Sequence, residues 1–179
     1  MNLRPYQQDA LSAVESGWEN FSKQLLVLPT GAGKTVCFSA LAHRRWQQGQ
    51  RSLILAHREE LIEQAVQKLK AATGIRAEVD KAERWASMTA PVVVASVQTL
   101  MREKRLTRWP ADHFAQVIPD EAHHSISASW QQVLNYFDGH ADVLGVTATP
   151  DRGDKRNLGQ YYQNVAYEIG LFDLIKQGY

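Results

Sequence analysis

The sequence predicts an α/β fold with a mostly parallel central sheet, and three observations predict it. Short apolar runs recur between longer stretches with helical spacing. The runs are continuously apolar, as in strands buried on both faces, where a half-solvated strand would alternate. The chemically loaded segments PTGAGKT, PDEAHH and TATP each follow such a run, at the carboxyl ends of the strands, where parallel sheets carry function.

Taken in order, Asn2–Phe21 is predicted helical, with Pro5 in a first turn and Ala10, Leu11, Val14 and Trp18 near helical spacing. Gln24–Leu28 reads as a buried strand stopped by Pro29. A helix opening at Lys34 should end near Gly49, with Cys37 on its buried face as a small hydrophobe. Ser52–Ala56 is a second buried strand. Arg58–Ala72 is an amphipathic helix with Leu61, Ile62, Ala65, Val66 and Leu69 inward, closed by Thr73-Gly74. Ile75–Val79 is a weaker strand, whereas Pro91–Ala95 is β-branched and bounded by proline. Phe114–Ile118 is another strand, ending at Pro119. Ser127–Phe137 is helical, Asp142–Val146 a strand, and the tail from Val165 a short strand followed by a helix over Phe172–Gln177. Three surface expectations accompany these. Gly153–Gly159 should be mobile, Arg102–Arg108 a solvated segment, and Trp85, Trp109 and Trp130 packing residues rather than base-stacking platforms.

A chain of 179 residues, 44% hydrophobic and 22% charged, suits one well-filled globular domain. No apolar run approaches the roughly 18–20 residues of a membrane span, and the N-terminus lacks the apolar core of a secretory signal. A single cysteine excludes an internal disulfide and a cysteine-rich zinc site. A cytoplasmic protein with no membrane partner is expected. With a net charge of +1, any basic footprint for nucleic acid must be local.

Gln24–Thr35, QLLVLPTGAGKT, is the strand–loop–helix that a phosphate-binding loop requires. Loop amides and the positive end of the helix dipole converge on an anion-sized hollow. Lys34 would place a charge at the β- and γ-phosphates, and the Thr35 hydroxyl would ligate Mg²⁺. Leu28 stands where the usual pattern has glycine or alanine. After the strand at Phe114–Ile118 come Asp120 and Glu121. Asp120 is the candidate for the Mg²⁺ shell, through water, and Glu121 for positioning and deprotonating an attacking water.

With both acidic and phosphate-loop motifs in place, the chain resembles the first RecA-like motor domain of a superfamily 2 helicase or translocase, over Leu3 to about Tyr179. Leu3-Arg4-Pro5-Tyr6-Gln7 is similar to the adenine-recognition motif, which implies adenine contact by Gln7 with Arg4 nearby. Pro29, Thr30, Gly31, Ala32, Gly33, Lys34 and Thr35 form motif I. Ala56–Leu61 and Ala95–Leu100 resemble motifs Ia and Ib, implying contact with the nucleic-acid backbone through Arg58, Gln98 and Thr99. Asp120–His123 is motif II in its DEAH spelling. Thr147-Ala148-Thr149-Pro150 is motif III, which implies that His123, Thr147 and Thr149 couple hydrolysis to strand movement.

The resemblance implies a three-layer RecA-like P-loop NTPase domain over residues 1–179, using ATP and Mg²⁺. It implies a nucleic-acid partner, DNA rather than RNA, since AHREEL, DEAHH and TATPDR look most like the branch of repair helicases, phage helicases and restriction-enzyme motors. Pro119 departs from the aliphatic residue usual before the acidic pair. The family's second RecA-like domain, with its arginine fingers, is expected in cis beyond Tyr179 or in trans. Two other readings share the loop. One is a regulatory module that binds nucleotide and nucleic acid without turnover. The other is a small-molecule kinase, disfavoured by DEAH, TATP and the lack of a recognisable lid.

Overall fold

The computed structural model describes residues 1–148 and 151–179. Thr149 and Pro150, assigned to motif III, lie outside the described residues. The strands are β1 (Lys23–Val27), β2 (Ser52–Ala56), β3 (Glu78–Asp80), β4 (Val92–Ser96), β5 (Gln116–Pro119), β6 (Asp142–Thr147) and β7 (Asn164–Glu168). They form one sheet in the order β3-β4-β2-β5-β6-β1-β7, and every neighbouring pair is parallel. The helices are α1 (Pro5–Gly17), α2 (Lys34–Gln47), α3 (Glu59–Thr73), α4 (Val97–Leu100), α5 (Glu103–Thr107), α6 (Ala128–Phe137), α7 (Arg152–Leu158) and α8 (Leu171–Lys176).

Strand periodicity divides the core into two layers. Leu26, Ile54, Val94, Ile118, Leu144 and Val146 face one way, onto apolar residues of α1, α2, α3 and α8. Leu25, Val27, Leu53, Leu55, Val93, Val117 and Val143 face the other, onto α4, α5 and α6 with Trp109 and Phe114. The result is helix–sheet–helix, three layers, as the resemblance implies. Cys37 is buried in the first layer, and burial pushes its thiol up to about 12.

Insertion of β5 and β6 between β1 and β2 positions the site. The loops after β1 and β5, and the carboxyl end of β6, become neighbours on one edge. Pro119 closes β5 opposite Leu55, and the ladder then passes to Asp120, whose N–H donates to the Leu55 carbonyl at 2.9 Å. A residue without an N–H is tolerated there because the next one makes the bond.

Several expectations change. The first helix is shorter than Asn2–Phe21, and the weak strand shrinks to Glu78–Asp80. Gly153–Gly159 belongs mostly to α7, because the Asp151 carboxylate accepts the Asp154 N–H at 2.8 Å and caps the helix despite Gly153. Trp109 and Trp130 are buried as expected, whereas Trp85 is 58% exposed and is no packing residue.

Arg102–Arg108 is not simply solvated. Most of it forms α5, and Arg105 is buried against a fully buried Asp80. The Asp80 carboxylate receives Arg105 Nη2 at 2.5 Å, Arg108 Nη2 at 3.2 Å and the Trp109 indole N–H at 3.0 Å. A buried carboxylate needs such partners, and so do the buried donors that meet it. Asp80→Ala should therefore destabilise the fold by roughly 3–5 kcal/mol. A urea titration checks this, since an unchanged midpoint would show that Arg105 and Trp109 find other partners.

Candidate active site

The phosphate loop begins one residue past the end of β1. Leu28 is still in the ladder, its N–H donating to the Thr147 carbonyl at 3.0 Å, and its side chain is buried in the core. That explains a leucine where a loop would carry glycine. The loop proper turns at Pro29, whose carbonyl accepts the Ala32 N–H at 3.0 Å. Gly31 and Gly33 sit at φ +86° and +85°, left-handed positions that disfavour any side chain. Gly33 then caps α2, whose first turn carries no acidic side chain. The positive end of that helix is left for an anion.

Helix α1 holds the loop in this shape. The Ala32 carbonyl accepts two hydrogen bonds, from the Tyr6 hydroxyl at 2.6 Å and from Gln7 Nε2 at 3.1 Å. Gln7 Oε1 in turn accepts the Arg4 N–H at 2.9 Å. A Cβ on Gly33 would lie 2.5 Å from Gln7 Nε2. Gln7 thus clamps the loop, buried with its carbonyl and one N–H engaged.

A cavity of about 590 Å³ opens above the loop, lined by Thr30, Gly31, Gly33, Lys34 and Thr35 on one side and Asp120 and Glu121 on another. Its third wall is α3, which contributes Gln64 and Lys68. Neither was legible as a site residue, since both look like the solvent face of an amphipathic helix. A smaller hollow of about 110 Å³ shares Thr30 and Gly31 and is walled by Arg4, Tyr6, Leu174 and Tyr179. The Arg4 guanidinium lies 5.2 Å from the Tyr179 ring centroid, and Tyr6 meets that ring edge-on. Arg4, expected near the base, thus lines this hollow with Tyr179, which carries no sequence signal.

Lys34 Nζ lies 3.7 Å from Glu121 Oε1, so the motif I cation and the motif II acid face each other directly. Asp120 is 7% exposed, and its Oδ1 accepts the Glu121 N–H at 3.0 Å. Burial raises the Asp120 pKa, and repulsion from Glu121 adds to the rise, while Lys34 opposes it. Glu121 itself sits at φ +55°, a conformation costly for any residue but glycine. Thr35 and Asp120 face one cavity as a hydroxyl and a desolvated carboxylate. That donor set fits Mg²⁺, which keeps waters and phosphate oxygens in its shell and needs few protein ligands. Among the described residues no three His, Cys, Asp or Glu side chains gather as a metal cage.

His123 Nδ1 lies 3.6 Å from Glu121 Oε2 and 3.5 Å from Thr147 Oγ1. His123 therefore touches Thr147 at the limit of hydrogen bonding, and Thr149, the other residue expected in this coupling, lies outside the described residues. The other histidines are better connected than their sequence spacing suggests. His124 packs against both His123 and His57, with ring centroids 4.2 Å and 4.3 Å apart, and stacks on Trp130. Partial burial holds His57 and His124 below the ordinary histidine range; Arg58 next to His57 and His123 next to His124 lower them further.

Of the residues expected at nucleic acid, Arg58 and Gln98 are exposed at the same sheet edge, and Gln98 Nε2 donates to the His57 carbonyl at 3.2 Å. Thr99 is different. It is 7% exposed, and its hydroxyl accepts the Ala82 N–H at 3.1 Å, so it anchors a neighbouring loop and does not face solvent.

Residues 1–152 match the family model described as type III restriction enzyme, res subunit. The chain is 36% identical to the putative ATP-dependent helicase IRC3 of Saccharomyces cerevisiae, over 97% of this chain and 27% of that protein. Its fold matches that of a nuclease-deletion mutant of the type ISP restriction-modification enzyme LlaGI, solved with a DNA substrate mimic. There the TM-score is 0.75 at 16% identity, over 99% of this chain and 20% of that one. The UvsW helicase of bacteriophage T4 matches with a TM-score of 0.71 at 20% identity, over 94% of this chain and 61% of that one. The chain thus spans well under half the length of the yeast relative. A phosphate loop facing an acidic pair across one parallel sheet edge accords with these matches, and the chain belongs to the type III restriction enzyme res-subunit family, with the RecA-like fold of superfamily 2 helicase motor domains.

Proposed function

We propose that this chain is the ATP-binding half of a motor that couples Mg-ATP hydrolysis to movement on nucleic acid, DNA rather than RNA. The observation that carries this reading is the Lys34–Glu121 contact, which brings the phosphate-loop cation and the motif II acid to one cavity. Likeness to a putative ATP-dependent helicase and to an enzyme solved on a DNA mimic supports the substrate class. The proposed setting is cytoplasmic, and no helix among the described residues is long and apolar enough to cross a membrane.

Each side chain has a task in that reading. Lys34 turns from Glu121 to the β- and γ-phosphates, beside the α2 amides. Thr35, and Asp120 through water, would hold a Mg²⁺ ion, which would supply charge neutralisation at the phosphates. Glu121, released from Lys34, orients the attacking water and accepts its proton. His123 relays the state of Glu121 to Thr147 on β6. Arginines of a second RecA-like domain, in cis or in trans, complete the charge stabilisation.

Lys34→Ala should weaken ATP binding while leaving the thermal midpoint near wild type, because its partner Glu121 is partly solvated. Equal affinities in a titration would remove Lys34 from the site. The 179-residue chain alone should turn over slowly, because an arginine finger is worth roughly 10³–10⁵ in rate. A second RecA-like domain should restore turnover, and Glu121→Gln should abolish it again. Brisk nucleic-acid-stimulated hydrolysis by the monomer would contradict the half-site reading. Asp120→Asn should raise stability at neutral pH, since it removes a charge that burial and Glu121 disfavour. Because the native pKa lies above the unfolded one, that advantage should fade as pH falls through the raised value. A melting series against pH reads it, with no gain at neutral pH as the contrary outcome.

A further inference from the structure

The exposed indole of Trp85 stands apart from the nucleotide site and from the residues assigned to the nucleic-acid backbone. It lies in the connection between β3 and β4, beginning with a turn closed by paired bonds between Lys81 and Arg84, with Ala82 at φ +49°. Loops of this kind are often loose, but this one is tied from beneath. Arg105 donates to the carbonyls of Ala82 and Arg84, the latter at 2.9 Å, and Arg108 to that of Ala86 at 2.7 Å. Both arginines are in turn fixed by the buried Asp80. Alternate carbonyls on either side of Trp85 are thus bound to guanidinium groups that cannot easily move.

The same guanidiniums support the ring. That of Arg105 lies 3.7 Å from the indole centroid and that of Arg108 5.1 Å, while Arg108 is also 4.3 Å from the buried Trp109 ring. Trp85 therefore rests on a cationic layer and remains more than half exposed. An indole already held in place loses little freedom when a partner covers it.

Its position selects the occupant. The Ala82 N–H bonds to Thr99 beside Gln98, while Lys81 and Arg84 pair with Glu59 and Glu63 on the first turns of α3, next to Arg58. Trp85 thus continues the edge that carries Arg58 and Gln98. Arg102 and Lys104 stand exposed on α5 and its N-cap, and among the described residues neither has an ion-pair partner. The exposed acids Glu83 and Glu103 balance these two cations in the same segments. The aromatic surface backed by Arg105 and Arg108, continuing the edge of Arg58 and Gln98, is therefore what matches a nucleobase of a strand lying along that edge.

We propose that Trp85 is a stacking platform for an unpaired nucleobase, extending the nucleic-acid track beyond motifs Ia and Ib to the β3–β4 edge. This rests on the nucleic-acid reading given above. The experiment is an anisotropy titration at low salt with a labelled single-stranded oligodeoxynucleotide and an abasic strand of equal length. Both carry the same phosphates, so only the bases differ. Wild type should favour the base-bearing strand by about 5- to 150-fold, the range that one stacked base supplies. Trp85→Ala should bring that strand down to the abasic affinity and leave the abasic affinity unchanged, whereas Trp85→Phe should keep part of the preference. Trp46→Ala, at the other exposed tryptophan, should change nothing. Equal binding of the two strands by wild type, or a preference that survives Trp85→Ala, overturns the platform and assigns the ring to a protein surface, with nucleic-acid binding intact. Failure of wild type to bind either strand overturns the nucleic-acid reading itself, and the platform with it.

Discussion

A parallel sheet forces every strand to finish on the same edge, and the arrangement of this molecule follows from that constraint. The inner strands are buried on both faces, and only the edge strand β7 is largely open, so the covered faces of the sheet cannot hold solvated catalytic groups. The candidate site residues Lys34, Asp120 and Glu121 lie just past the strand ends. The sheet order then decides which loops meet. With β5 and β6 placed beside β1, the loop that favours anions faces the loop that carries acids. The β2 and β4 ends form a second polar zone, with Arg58 and Gln98, on the far side of Glu121.

The acidic loop shows what that crowding costs locally. Asp120 is buried next to another carboxylate, and Glu121 adopts a left-handed backbone. Neither choice favours folding. Both keep carboxylate oxygens aimed into a cavity already faced by a lysine, and the His123 ring leans on the strained residue. Ala82 also has a positive φ, and the β1–β7 register shifts at Leu25/Leu26. The acidic loop, however, joins a strained backbone to a desolvated carboxylate beside the phosphate loop, a combination common at functional sites.

The sequence made the sheet and the nucleotide loop legible because both are written in short local patterns: continuous Val-Val-Val at β4, or glycines spaced to allow positive φ before Lys34. It was silent where meaning depends on residues brought together by folding. Lys68 looks like a solvated helix residue until α3 is laid beside the phosphate loop. Thr99 fits a motif but spends its hydroxyl on Ala82, a partner 17 positions away. Arg105 sits in a run of charges that reads as surface, and only the distant Asp80 turns it inward. Trp85 fails for a related reason, since nothing in a lone tryptophan says whether the chain will cover it.

The double acceptor at Ala32 has a consequence for how the loop meets its ligand. With glycine on both sides of Ala32, the isolated loop could exchange among many shapes, including a flip of the Ala32–Gly33 peptide plane. Both lone pairs of the Ala32 oxygen are already used, by donors 25 and 26 positions away in α1. A flip would break both bonds at once and leave two buried donors without partners. The loop is thus ordered before any nucleotide arrives, and binding loses less conformational entropy than its glycine content suggests. Affinity for a phosphate chain is in this way partly determined by a phenol and an amide that act through the loop they hold.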